Sequence, residues 1–99
     1  MRVAVVGAGA IGGYFGARIA RSGHEVRLFA RGAHLDAIRV RGLEIRERGE
    51  SWSARVEATD DPAALGAPDL ALLSVKSYSL PDVAPVCRRL AGTGATVLP

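Results

Sequence analysis

The sequence contains a single cysteine, Cys87, and only two histidines. An internal disulfide is therefore impossible, and no cysteine and histidine residues have the spacing of a zinc site. The unpaired cysteine favours a reducing, cytoplasmic location. The chain has 99 residues, enough for one small domain. Hydrophobic residues make up 48% and charged residues 23% of it, which excludes a disordered or low-complexity protein.

Long apolar segments are also absent. The uncharged stretch from Val3 to Ala17 is shorter than the roughly 20 residues that a membrane-spanning helix needs. It also contains five glycines, each of which weakens an isolated helix by about 1 kcal/mol. We therefore expect neither a membrane span nor a secretion signal.

Neither the positive nor the negative residues are concentrated in one part of the chain. The net charge is +3, but the thirteen basic residues are dispersed among ten acidic ones and are not interleaved with aromatic residues. This distribution argues against a nucleic-acid partner. Lys76 is the single lysine, and all other basic residues are arginines.

Apolar runs and turn residues predict alternating strands and helices. Val3 to Val6 is a β-branched run typical of a strand buried on both faces. Behind it, Ile11, Phe15 and Ile19 recur at every fourth position, with Gly12 and Gly16 beside them on one face, and predict an amphipathic helix that Gly23 terminates. The predicted strands are Arg2–Val6, Glu25–Ala30, Asp69–Val75 and Ala95–Leu98, with a hairpin around Arg48-Gly49 from Leu43 to Val56. The predicted helices are Ala10–Ser22, Gly32–Val40 and Leu80–Ala91, with a short helical turn Pro62–Leu65 capped by Asp61.

This order predicts an α/β fold: a Rossmann-like, doubly wound and mainly parallel sheet, truncated relative to the complete form. Crossovers between parallel strands are right-handed, and ligands bind at the carboxyl ends of the strands. Residues that follow the predicted strands are therefore the candidates for a site.

Residues 7–12 match the pattern G-x-G-x-x-G directly between a predicted strand and a predicted helix. Gly7 permits the tight turn, Gly9 allows the backbone to approach a pyrophosphate, and Gly12 allows the helix to pack closely on the sheet. Ala8 completes the loop, and backbone N–H groups near Ala10 and Ile11 are expected to bind the phosphates. The alternative is a glycine-rich turn without a ligand.

The second predicted strand lacks the acidic residue that binds the ribose hydroxyls in NAD-selective domains, about 20 residues beyond the last glycine. At that distance stands Arg31, whereas the nearest acids, Glu25 and Asp36, lie at the wrong ends of their elements. A guanidinium can hold a 2′-phosphate through two charge-assisted hydrogen bonds. The sequence therefore predicts NADPH as the cofactor. The alternative is that Arg31 is a solvated residue at a helix start.

Lys76 follows the buried strand that ends at Val75, so we expect its ammonium group to reach the same crevice as the glycine loop. The alternative is an ordinary solvated lysine. His24 and His34 are isolated and are interpreted as surface residues. Asp61 is interpreted as a helix cap and not as half of a carboxylate pair. Cys87 has no histidine or acid at helical spacing, which argues against a catalytic thiol.

The sequence resembles the start of the 2-dehydropantoate 2-reductase (ketopantoate reductase) family. The similarity rests on VVGAGAIGGYFGAR (residues 5–18), FARGAHL (29–35) and VKSY (75–78), and it extends over nearly the whole chain. The resemblance implies an NADPH-dependent reductase of a small-molecule 2-keto acid in pantothenate biosynthesis. It also implies that residues 7–12 bind the diphosphate, that Arg31 binds the 2′-phosphate and that Lys76 lies near the nicotinamide.

Two departures from the family pattern limit what the resemblance implies. Ser79 stands where the family often has a glutamine. The helical domain that carries the family's catalytic lysine and substrate-binding glutamate would follow Pro99. We therefore expect residues 1–99 to be the cofactor-binding part of a longer chain, able to bind NADPH but inactive alone and without catalytic residues of its own. The alternatives are another NADP-dependent 2-keto or hydroxy acid dehydrogenase and a non-catalytic nucleotide-sensing domain.

Overall fold

The computed structural model describes residues 1–7, 10–73 and 80–98. Strands and helices alternate along most of this part of the chain. In order they are β1 (Arg2–Val6), α1 (Ala10–Arg21), β2 (Glu25–Phe29), α2 (Gly32–Arg41), β3 (Leu43–Glu47), β4 (Glu50–Ala54), β5 (Glu57–Thr59), a 3-10 helix (Pro62–Leu65), β6 (Leu70–Leu73), α3 (Leu80–Gly92) and β7 (Thr96–Leu98).

Five strands form one parallel sheet in the order β5-β2-β1-β6-β7. The chain proceeds from the central β1 outward to β2 and β5, and then returns to place β6 on the other side of β1. The strand order therefore reverses between β1 and β6, which is the point where open α/β sheets bind ligands. The predicted α/β, doubly wound, Rossmann-like fold is confirmed.

The two faces of the sheet bury separate cores. In β1, Val3 and Val5 point to the first face, whereas Ala4 and Val6 point to the second, as the two-residue period of a strand requires. The first face is covered by α1, α2 and the β3-β4 hairpin, and the second by the 3-10 helix and α3. Because β1 is apolar at successive positions, it can be buried on both sides.

The apolar stripe predicted for α1 is wrong at Phe15, which is 52% exposed, whereas Ile19 packs partly buried against the first core. The helix also meets the sheet through smaller residues: Gly12, Gly13, Gly16 and Ala17 are buried. A Cβ atom at Gly16 would lie 3.4 Å from Leu28 Cδ2, so the helix backbone approaches the sheet too closely for a large side chain. Phe15 is therefore displaced to the flank of the helix.

Strand β5 was not predicted, and Val56 lies outside the hairpin, whose second strand ends at Ala54. The three residues of β5 are held by long-range pairing with β2. Arg27 Nε lies 3.2 Å from Glu57 Oε2, and Arg39 Nε donates a hydrogen bond to the carbonyl of Ala58. A strand of three residues is too short to show an alternation of apolar and polar residues. It is held by contacts with residues distant in sequence, which no local pattern indicates.

The remaining predicted elements are confirmed within one residue at most ends. Helix α1 stops at Arg21, one residue before Ser22, and Gly23 follows with a φ of +96°. The Asp61 carboxylate accepts a hydrogen bond from the Ala63 amide, which confirms the predicted cap. Strand β6 lies within the predicted range, of which residues 74 and 75 fall outside the described part. In that part, no helix is both long and apolar enough to cross a bilayer.

Candidate functional site

Gly7 lies at the carboxyl end of the central strand and begins the glycine motif. It is buried and has a φ of +91°, a left-handed conformation that a side chain would strain. Its amide donates a hydrogen bond to the carbonyl of Phe29, the last residue of β2. The chain therefore leaves β1 in a tight turn at the edge where the strand order reverses, as predicted for this glycine.

Helix α1 begins three residues after Gly7, with Ala10 and Ile11 as its first residues. Gly12 is buried in its first turn. The first turn carries no acidic side chain, and the N-terminal end of a helix favours anions through its free amides and its dipole. Ala8 and Gly9 lie outside the described residues, so their predicted roles remain predictions.

Gly16 is a packing residue that the sequence reasoning did not assign to the site. It faces Leu28 of β2 and Val5 of β1, with its Cβ position 3.4 and 3.5 Å from their side-chain carbons. This contact brings α1 against the two strands whose ends form the candidate site. The sequence does contain a signal for this packing role, because Gly16 stands four residues after Gly12 and therefore on the same helix face.

Arg31 stands at the carboxyl end of β2, next to the end of β1. Val6 pairs with Phe29 in the sheet, so Gly7 stands one residue and Arg31 two residues beyond a pair of aligned residues. Arg31 is the exposed N-cap residue of α2, in extended conformation, and its side chain makes no capping hydrogen bond. Glu25 lies at the opposite end of β2, and Asp36 lies within α2. The structure thus places a cation where NAD-selective domains have an acid.

Strand β6 is the other neighbour of β1 at the candidate site. Leu73, its last residue, pairs with Val6, so the chain leaves β6 at the same edge as the glycine motif. Lys76 follows three positions later but lies outside the described residues. Its predicted contact with cofactor or substrate therefore remains a prediction.

The other polar candidates are exposed, cap a helix or pack against a core. His24 and His34 are exposed, and Asp61 caps the 3-10 helix. Cys87 of α3 packs against the second core, and its burial raises the pKa of the thiol, partly offset by a backbone hydrogen bond. A raised pKa disfavours the thiolate that a nucleophile needs. Among the described residues, no group of three potential ligands could hold a metal ion.

Comparisons with known proteins agree with this geometry. The family described as ketopantoate reductase PanE/ApbA matches residues 3–99. The 2-dehydropantoate 2-reductase of Mesorhizobium japonicum is 44% identical over 81 residues, which are 81% of this chain and 25% of that protein.

Solved structures give the same picture. The 2-dehydropantoate 2-reductase of Porphyromonas gingivalis W83 is 36% identical, with a TM-score of 0.89 over 100% of this chain and 37% of that one. A D-mandelate dehydrogenase solved with NADH and anilino(oxo)acetate is 30% identical, with a TM-score of 0.79 over 91% of this chain and 29% of that one. The chain therefore spans between 25% and 37% of the length of these proteins.

Proposed function

Because the chain belongs to the ketopantoate reductase PanE/ApbA family, we propose that it is the NADPH-binding domain of an enzyme that reduces a 2-keto acid. One observation carries this proposal: Gly7 and Arg31 stand one and two residues beyond paired residues of the adjacent parallel strands β1 and β2, and β1 borders the point where the strand order reverses. A turn for a diphosphate and a cation for a 2′-phosphate therefore stand side by side, as one dinucleotide requires.

The proposal assigns separate parts of the cofactor to separate residues. Residues 7–12 bind the diphosphate, with the first amides of α1 as donors. Arg31 binds the 2′-phosphate, and Lys76 lies toward the nicotinamide. Residues 1–99 form one cofactor-binding domain, and the substrate domain belongs to the remaining length that the relatives have.

The reaction we propose is the reduction of 2-dehydropantoate to pantoate, a step of pantothenate biosynthesis in the cytoplasm. The substrate rests on the family relation, and the location rests on the unpaired Cys87. Bound NADPH supplies a hydride for the ketone carbon, while a separate acid must protonate the oxygen. The residues of this chain bind and orient the cofactor, and we expect no turnover by the 99 residues alone.

Two other functions stay open. The similarity to a D-mandelate dehydrogenase solved with NADH favours a related 2-hydroxy acid dehydrogenase as the second candidate. A non-catalytic nucleotide-sensing domain is the third, although such domains usually carry an acid where Arg31 stands. The preference between NADPH and NADH separates these functions, because it depends on the residue that meets the ribose.

The test compares both cofactors on the wild-type chain and on an Arg31→Gln variant by isothermal titration calorimetry. We expect Arg31→Gln to weaken NADPH binding by about 1.5 to 3 kcal/mol, the range for a hydrogen bond to a charged group, and to leave NADH binding unchanged. Arg41→Gln is the matched control, since Arg41 is also an exposed arginine and stands at the other end of α2.

Three results would contradict parts of the proposal. Equal losses for NADPH and NADH in Arg31→Gln would remove the 2′-phosphate role. So would an equal loss of NADPH affinity in Arg41→Gln, because the effect would then come from net charge. Failure of the folded wild-type chain to bind either dinucleotide would contradict the cofactor-binding function itself.

A further inference from the structure

Helix α1 contacts its surroundings through two different surfaces. Its sheet-facing surface consists of the small buried residues Gly12, Gly13, Gly16 and Ala17. These residues allow close approach, and beside them Tyr14 and Ile19 pack partly buried against the first core. The longest side chains of the last turns, Arg18 and Arg21, extend to another flank of the helix.

That flank contacts the β3-β4 hairpin. The Arg21 guanidinium carbon lies 4.7 Å from the centroid of the Trp52 ring, within the range of a cation–π interaction. Arg18 Nη1 lies 3.6 Å from Glu47 Oε1. Glu47 and Trp52 share one face of the hairpin, because Ile45 pairs with Trp52 and successive side chains alternate. Two cations of one helix thus meet an aromatic ring and a carboxylate of one hairpin face.

The hairpin is itself fixed to the sheet. Leu43, Ile45 and Ala54 are buried in the same core as Val3 and Val5 of β1. Gly42, which joins α2 to β3, is so close to Ala54 that an added Cβ would lie 2.7 Å from the Ala54 carbonyl oxygen. The hairpin therefore provides a rigid support against which α1 can be held.

We propose that Trp52 and Glu47 are positioning residues for the cofactor, which they do not touch. The inference rests on the proposed function. They contact the last turns of α1, whereas the proposed diphosphate donors lie in its first turn. Helix α1 has 12 residues and is about 18 Å long, so a tilt at the hairpin end displaces the amides at the other end. Loss of the hairpin contacts thus misplaces the diphosphate donors without altering Arg31.

The test uses two ligands that differ in their need for α1. NADPH carries both the 2′-phosphate and the diphosphate, whereas 2′-AMP carries the 2′-phosphate alone. We expect Trp52→Ala to weaken NADPH binding about fivefold, within the range of coupling between distant residues, and to leave 2′-AMP binding within about twofold. Calorimetry would measure both affinities at a temperature where circular dichroism shows the variant to be folded.

Three further variants make the result specific. Trp52→Phe keeps an aromatic face under Arg21 and should restore most of the NADPH affinity. Ser53→Ala is the matched control, because Ser53 is the next residue on the same strand and is exposed. It should change neither affinity. Glu47→Gln removes the charge that meets Arg18 and should weaken NADPH in the same direction as Trp52→Ala, by less. If Trp52→Ala does not fold, Glu47→Gln replaces it in the test.

Equal losses for NADPH and 2′-AMP would overturn the proposal, because a general loss of structure does not distinguish the two ligands. An unchanged NADPH affinity in folded Trp52→Ala would overturn it as well. If Trp52→Ala does not fold, an unchanged NADPH affinity in Glu47→Gln would have the same meaning. If the wild-type chain bound 2′-AMP but not NADPH, the proposed function would fail, and this failure differs from the other two.

Discussion

Cys87 links burial to pH at the scale of a single residue. Its burial against the second core raises the pKa of the thiol, so the folded chain holds the proton to higher pH than the unfolded chain. Stability is unaffected by this thiol below its unfolded pKa and is lost as the pH rises from there to the folded value, because ionisation of the buried thiol is then disfavoured. We therefore expect the free energy of unfolding to fall more between pH 7 and pH 10 in wild type than in Cys87→Ala. Urea titrations at both pH values measure this, and an identical pH dependence in the two chains would contradict it.

Single residues also show where sequence reasoning succeeds and where it fails. Gly7 and Asp61 act through their own turn or the next two residues, so local sequence is sufficient to predict them. Phe15 belongs to a helix whose apolar residues are spread over more of its circumference than the sheet covers, so the sequence alone does not show which of them is left exposed. The close approach of Gly16 to Leu28 fixes which face meets the sheet, and that contact joins residues distant in sequence.

At the scale of elements, two glycines with nearly the same positive φ differ in their surroundings. Gly42 terminates α2 with a φ of +76°, and Gly49 turns the hairpin with a φ of +77°. An added Cβ would lie 2.7 Å from the Ala54 carbonyl oxygen at Gly42, but would meet nothing within 4 Å at Gly49. We expect Gly49→Ala to cost about 1 to 2 kcal/mol for the left-handed conformation alone. Gly42→Ala should cost at least about 1 kcal/mol more, because the backbone contact must also open.

Urea unfolding of the two variants measures this difference, with each serving as the control for the other. Equal losses of stability would show that the α2-hairpin junction relaxes around a methyl group. The rigid support that we infer for α1 would then be weaker than its close contact with Ala54 indicates.

The sequence predicts an element well when a local pattern determines it, and poorly when contacts between distant residues do. Strands β1 and β6 are continuous apolar runs, and a buried parallel strand requires that pattern. Strand β5 has three residues and joins the sheet through β2, so nothing local distinguishes it from a loop. The glycine motif was predictable because it follows such a strand, and Arg31 because of its distance along the chain from the glycines. The hairpin contacts of α1 were not predictable, since no pattern within α1 or the hairpin indicates that the two meet.

At the scale of the whole molecule, the two cores share the central strand. Val5 belongs to the first core and Val6 to the second, and each is at most 1% exposed. Loss of packing on one face must therefore loosen the strand that supports the other. Leu90 of α3 is fully buried in the second core. We expect Leu90→Ala to cost about 2 to 5 kcal/mol, the range for removing a buried leucine side chain.

Trp52 is the single tryptophan of the chain and packs against the first core, on the face opposite Leu90. If the sheet unfolds as one cooperative unit, Leu90→Ala should shift the Trp52 fluorescence transition in urea as far as the circular dichroism transition. Leu98→Ala is the control, since Leu98 lies on β7 with 44% exposure and should change stability by about 0.5 kcal/mol or less. A circular dichroism transition that moves while the fluorescence transition stays in place would mean that the two faces unfold independently. In that case, contacts made by the hairpin on the first face could position α1 without any contribution from α3.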